Sequence, residues 1–306
     1  MNPVYLETAR LLAQVAQLVF VDDTFALKGG TAINLFVRDM PRLSVDLDLV
    51  FANHELPREQ ALARIQLALR DTAERLNRRG FKTHIADAES DETKLLVRRD
   101  RIEVKVEANL VMRGTVHPAR RASFTPAARE ILLADVEIPV VSLEDLYGGK
   151  LCAALDRQHP RDLFDVMQLY AHEGVTPGIR RALVVYLAST SRPVHEVLFP
   201  RMRDIAHDYT QNFQGMTADP VPLDALLATR ERLVRQIQRE LDDEERRFLL
   251  TLVRAAPDWS SLGISHLEHV PGIRWKLRNL EQLRKTNARK FAEQADALVS
   301  HFARVT

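Results

Sequence analysis

The sequence predicts an α+β protein, with strands and helices mixed in its N-terminal half and helices alone in its C-terminal half. Two segments, 44–51 and 101–110, alternate apolar and polar residues with the two-residue period of a strand. From Ser142 the apolar residues recur instead at helical spacing, and they continue so to the C-terminus. The run His-Glu-Gly-Val-Thr-Pro-Gly at 172–178 interrupts that pattern, so the expected domains are 1–172 and 173–306.

In chain order, residues 4–20 read as an amphipathic helix with Leu6, Leu11, Val15 and Leu18 along one stripe. The short apolar run 25–27 stops at Gly29-Gly30, and Thr31 is placed to cap a helix carrying Ala32, Leu35 and Phe36. Residues 44–51 follow as a strand, with Val45, Leu47, Leu49 and Phe51 on one face and Ser44, Asp46 and Asp48 on the other. Pro57 then stands at the start of a helix to about Arg79, packed through Leu62, Ile65, Leu69 and Leu76 and ended by Gly80. Segments 81–88 and 93–98 read as strands. The second clear alternator, 101–110, puts Glu103, Lys105, Glu107 and Asn109 on one face. Residues 113–129 hold Arg113, Arg120, Arg121 and Arg129 without an acid and read as a basic loop region.

Composition limits the class. Of 306 residues, 46% are apolar and 28% charged, which excludes disorder, collagen and a disulfide scaffold. Lys and Arg number 43 and Asp and Glu 42, so this is no polybasic binder, although local patches remain open. The single cysteine, Cys152, cannot form an internal disulfide. No apolar run reaches the roughly 18 to 20 residues of a membrane span. The first residues lack the basic and apolar regions of a signal peptide. The expectation is a cytoplasmic protein with no membrane partner.

Chemistry enters at Asp46 and Asp48, whose side chains project together about 7 Å apart along one strand face. Such a pair repels itself unless a cation sits between, and its hard oxygens suit Mg²⁺. The same pattern also describes the solvent face of an edge strand. Gly29, Gly30 and Thr31 open a helix whose N–H groups suit phosphates, though a plain strand-to-helix turn looks alike. Glu107, on another polar face, is either a third metal carboxylate or half of a cross-strand ion pair.

Three blocks stand in order: Leu27-Lys28-Gly29-Gly30-Thr31-Ala32, then Arg42-Leu43-Ser44-Val45-Asp46-Leu47-Asp48, then Val104-Lys105-Val106-Glu107-Ala108-Asn109. A fourth runs from Gly149-Lys150-Leu151-Cys152 through Asp156-Arg157 to Arg161-Asp162-Leu163-Phe164-Asp165. Together they resemble the DNA polymerase β-like nucleotidyltransferases, and most of all the AbiEii/AbiGii toxin branch that includes the MenT-like toxins. The resemblance spans residues 27–165 and implies that family's fold, a mixed sheet flanked by helices, for the N-terminal domain. It implies one or two Mg²⁺ ions on Asp46, Asp48 and Glu107. Gly29, Gly30, Thr31 and Ser44 would bind nucleotide, with Ser44 also open to modification. Lys150 would neutralise the triphosphate, and Asp162 and Asp165 would orient or support the site. Without it, Lys150 reads as a surface lysine and Asp162 as an acid complementing a helix dipole.

The function so implied is that of a toxin of a type IV, abortive-infection toxin–antitoxin system. It would move a nucleotide from an NTP to the 3′ acceptor end of tRNA and block translation. Its partners would be the NTP, the tRNA and a separately encoded winged-helix antitoxin. Two other readings stand beside it: nucleotidylation of a protein, either a partner or itself, and a non-catalytic NTP-binding interaction protein.

Other signals are weaker. His266 and His269 share a helical spacing but lack further zinc ligands. Arg201 and His207 have the spacing of the HEPN ribonuclease motif, which arises readily by chance among so many arginines. The charged run 228–247 is balanced and reads as a solvated helical face. Residues 271–306 carry eight bases against three acids, a candidate surface for a phosphate backbone.

Overall fold

Strands β1 (Phe25–Lys28) and β2 (Asp46–Phe51) pair antiparallel, with Leu27 opposite Leu49 and Lys28 opposite Asp48. That register brings the glycine turn after Lys28 beside the aspartates. The computed structural model describes residues 3–86 and 92–305, and the expected strand 81–88 ends partly outside them. Five more strands complete a mixed sheet: β3 (Lys82–Ala86), β4 (Glu92–Arg99), β5 (Ile102–Asn109), β6 (Arg120–Ser123) and β7 (Glu137–Val140). Their order is β3-β4-β5-β2-β1-β7-β6, with β2/β5 and β1/β7 parallel and the other pairs antiparallel.

Alternation settles the faces. Leu47 and Leu49 of β2 and Val104, Val106 and Ala108 of β5 are buried. Helices α1 (Pro3–Val19) and α3 (Arg58–Arg78) cover strands of this sheet and pack on one another, and Leu12, Val15, Ile65 and Leu69 are among their buried residues. Gly80, at φ +82°, takes the left-handed conformation that stops α3.

Three local features depart from the sequence reading. Helix α2 (Gly29–Ala32) begins two residues before Thr31, with Lys28 at its N-cap, and continues as a π-helical turn, Ile33–Val37. The region 113–129 is not all loop: β6 forms the sheet edge and α4 (Pro126–Leu132) follows. The division of the chain also differs. Its compact units are Met1–Ser142 with Gln214–Pro220, and Leu143–Phe213 with Val221–Thr306. The returning segment is tied down by Leu43 N–H donating to the Met216 carbonyl at 2.8 Å and by an antiparallel bridge between Arg42 and Thr217.

The helical unit contains α5 (Leu143–Arg157), α6 (Pro160–Ala171), α7 (Pro177–Ser189), α8 (Val194–Leu198), α9 (Ala206–Asn212), α10 (Leu223–Glu240), α11 (Asp243–Val253), α12 (Pro271–Thr286) and α13 (Ala288–Val305). Expected with the sheet, α5 and α6 group instead with later helices, because α5 packs on α7 and α6 on α10. Gly148 makes this contact possible: a Cβ there would stand 2.7 Å from the Ala182 Cβ on α7. The charged run 228–247 is two helices rather than one face. Asp242 and Glu245 form a capping box at the start of α11, and Arg180 binds both acids.

Candidate active site

The first cluster lies where β1 meets α2. Gly29 adopts φ +76°, which favours glycine, and a Cβ there would fall 2.1 Å from Asp48 Oδ2. The Asp48 carboxylate therefore rests directly on the backbone of the glycine turn. At Gly30 a Cβ would meet Arg42 Nη2 at 2.6 Å and Ser44 Oγ at 3.2 Å. Arg42, 2% exposed, also donates through Nη1 to the Leu43 carbonyl at 2.9 Å and so shapes this turn from beneath. It stands inside the second sequence block, yet its sequence gave no sign of burial.

Thr31 and Ser44 serve that turn too. Thr31 Oγ1 lies 2.5 Å from the Asp46 carbonyl and 2.8 Å from Ser44 Oγ. The Thr31 proton goes to the carbonyl, which can only accept, so Ser44 donates to Thr31. Both side chains are buried, and the Thr31 hydroxyl is engaged in holding the turn against β2.

Asp46, Asp48 and Glu107 share a face, since Asp48 is in register with Glu107 and Asp46 with Lys105 on β5. Glu107 is already engaged. Its Oε1 accepts from Lys94 Nζ of β4 at 2.9 Å, the cross-strand ion pair named as the alternative. That hydrogen bond and the charge of Glu107, with Glu92 and Asp46 nearby, raise the Lys94 pKa. Among the described residues no three of His, Cys, Asp and Glu come together as a metal-binding group. The donors on this face are Asp46 and Asp48, with Glu107 beside them in register and paired to Lys94. This set fits Mg²⁺, which is commonly held by one or two carboxylates plus substrate phosphates and waters.

The second cluster belongs to the helical unit. Lys150 of α5 donates to Asp162 Oδ1 at 2.7 Å and pairs with Asp165 Oδ2 at 3.0 Å. All three are buried, with side chains 7%, 1% and 0% exposed, so Lys150 is no solvated surface lysine. Arg157 closes the group from the solvent side, reaching Asp162 Oδ2 at 2.5 Å and Oδ1 at 3.0 Å. Burial acts to raise the Asp162 pKa, but the charges and hydrogen bonds of Lys150 and Arg157 outweigh it and hold the carboxyl far below its usual range. Asp162 lies in the first turn of α6, as its dipole role requires, but its partners are these two cations.

The remaining sequence candidates resolve plainly. Arg201 precedes α9 in irregular backbone, so Arg201 and His207 do not share a helix. Lys276, counted among the basic C-terminal residues, is 4% exposed and donates to the carbonyls of Thr190 at 3.0 Å and Arg192 at 2.6 Å. No described helix is long and apolar enough to cross a membrane.

Comparison relates the chain to known proteins. The family model for the nucleotidyl transferase AbiEii toxin of type IV toxin–antitoxin systems matches residues 10–279. The solved structure of the nucleotidyltransferase toxin MenT4 from Mycobacterium tuberculosis is similar in fold, with TM-score 0.62 and 20% identity over 90% of this chain and 93% of that one. No curated protein matches the sequence.

Proposed function

Because this chain belongs to the AbiEii family of nucleotidyltransferase toxins of type IV toxin–antitoxin systems, we propose that it transfers NMP from an NTP to the 3′ acceptor end of tRNA with Mg²⁺ as cofactor. The observation that carries this reading is the seating of Asp48 on the Gly29 backbone, which sets a carboxylate pair beside a helix start. Asp46 and Asp48 would hold the metal, which supplies positive charge to the triphosphate and to the attacking hydroxyl.

The chain's own residues do the rest. Backbone N–H groups at the start of α2 face an anion favourably, so Gly29 and Gly30 bind phosphate oxygens through the main chain. Thr31 and Ser44 keep that turn fixed to β2. By the family resemblance Lys150, which pairs with Asp162 and Asp165, would neutralise the triphosphate. The acceptor hydroxyl attacks the α-phosphorus in line and gives up its proton to solvent, the bond to the oxygen that bridges to the β-phosphorus breaks, and pyrophosphate leaves. The antitoxin partner that such a system implies would be a separate winged-helix protein.

The deciding experiment incubates the protein with labelled NTP, Mg²⁺, total tRNA and total cell protein. Label in tRNA, lost when its 3′ end is blocked, is the expected result. Label in protein alone would replace tRNA by a protein acceptor, and no label in either would reduce the chain to a nucleotide binder.

A further inference from the structure

Apart from the carboxylate pair, Arg113 presents a charge that nothing in its surroundings balances. It is 5% exposed, and its Nε and Nη1 have no hydrogen-bond partner. No ion pair to a carboxylate is formed by Arg113 among the described residues. The charge it does feel is Arg58, of like sign, and burial together with that neighbour lowers its pKa. A guanidinium keeps its proton under all ordinary conditions, so it cannot escape the penalty by neutralising. An isolated buried charge without acceptors is strongly disfavoured unless an ion or ordered solvent completes it.

The backbone fixes where it stands. Gly114, at φ +80°, lies so close to His54 that a Cβ would fall 2.7 Å from the His54 Cβ. Its N–H donates to the Phe51 carbonyl at 2.8 Å. Arg113 is therefore held against the segment that links β2 to α3. That helix is 21 residues long, Arg58 is its first residue, and its N-cap, Pro57, makes no side-chain capping bond. Phe51 lies three residues beyond Asp48, roughly 10 Å along β2, so this place is separate from the carboxylate pair.

The geometry points to a second anion site, in which Arg113 and Arg58 at the start of α3 bind a phosphate group. The buried guanidinium supplies directed donors and Arg58 adds charge from the exposed rim, whereas the start of α3 already holds an acid, Glu59, in its first turn and adds little. The phosphate has two sources of one chemistry: a free phosphate or a phosphodiester of bound RNA. Only the RNA source rests on the tRNA reading above.

The test uses the full chain and inorganic phosphate at constant ionic strength, chloride replacing phosphate. Titration calorimetry should find a phosphate site whose affinity falls about tenfold or more in Arg113→Met and several-fold in Arg58→Gln. Without phosphate, Arg113→Met should melt at the parent's temperature or above it, since an unbalanced buried charge is replaced by an apolar chain. Phosphate that binds Arg113→Met as tightly as the parent would overturn the site. So would a large drop in the phosphate-free melting temperature, which would make Arg113 a structural residue. The source follows from tRNA binding against salt. A slope flattened by roughly 0.7 to 0.9 in Arg113→Met assigns the site to an RNA phosphate. An unchanged slope with lost phosphate binding assigns it to free phosphate.

Discussion

Asp48 and Gly29 occupy one space: the carboxylate oxygen Oδ2 stands 2.1 Å from the point where any other residue at position 29 would carry its Cβ. The left-handed φ of +76° adds a second demand for glycine. Gly29→Ala should therefore displace Asp48 and strain the turn together. The expected outcome is loss of nucleotide transfer by more than about a hundredfold, with destabilisation of about 1 to 3 kcal/mol. Turnover of labelled NTP and urea unfolding of the same preparation check both. A Gly29→Ala variant with parental turnover would show that the seating of Asp48 has no bearing on transfer.

The three carboxylates should separate by variant. Asp46→Asn or Asp48→Asn should abolish transfer and any Mg²⁺-linked rise in melting temperature, while the fold persists because neither side chain packs in the core. Glu107→Gln should keep most activity, since its oxygen is held by Lys94. The pair is partly exposed, so its loss should change stability by at most about 1 kcal/mol. Loss of transfer in Glu107→Gln equal to that in Asp46→Asn would make Glu107 the third metal ligand.

Much of this was readable because strands advertise their faces. The alternation in 44–51 and 101–110 placed Asp46, Asp48 and Glu107 on polar faces, and β2 and β5 do align them. The β6–β7 pair was hidden: both strands are four residues long, one begins with two arginines, and the other contains Pro139. Nor did the sequence reveal the π turn at Ile33–Val37, which depends on how the chain leaves the glycine turn. Above all, the burial of Lys150 and Lys276 is invisible in one dimension. A lysine reads as solvated until its partners, two distant carboxylates in one case and two carbonyls in the other, are seen around it.

The Lys150–Asp162–Asp165 group predicts both a stability and a pH effect. Lys150→Ala leaves two carboxylates buried without their shared cation, and should cost about 3 to 5 kcal/mol. Activity must therefore be compared below the variant's melting temperature. There, weakened NTP binding by folded protein would mark a contact with the triphosphate, and unchanged binding would leave Lys150 a structural residue. The folded Asp162 carboxyl lies well below its unfolded value, near 3.9. Its stabilisation is thus present above about pH 4 and is lost as pH falls further. Asp162→Asn should flatten the acid limb of urea midpoint against pH.

Lys276 predicts the opposite limb. Burial lowers its pKa to about 8, against about 10.4 for an unperturbed lysine. Between those values the unfolded chain binds the proton more tightly, so stability rises with pH across that window. The gain should approach about 2 to 3 kcal/mol by pH 10 and vanish in Lys276→Gln. Urea midpoints from pH 7.5 to 10 measure it. A Lys276→Gln curve parallel to the parent's would show that another group titrates there.

The burial of Lys276 also redraws the expected RNA surface. Arg284, Lys285 and Lys290 are exposed on α12 and α13, whereas Arg289 is tied to Glu293 at 2.7 Å. If these helices hold the tRNA backbone, replacing Arg284, Lys285 and Lys290 by glutamine should weaken tRNA binding regardless of sequence. The slope of log affinity against log salt should flatten by roughly 0.7 to 0.9 per lost contact. Lys276→Gln should leave that slope unaltered, because a side chain committed to two carbonyls makes no phosphate contact. NTP binding should survive the triple change, since none of the three residues lies in the clusters around Gly29 and Lys150. A parental salt slope in the triple variant would clear α12 and α13 of RNA binding and leave the basic segment around Arg113, Arg120 and Arg121 to carry it. A fall in turnover with unchanged RNA affinity would instead assign these helices a part in the transfer reaction.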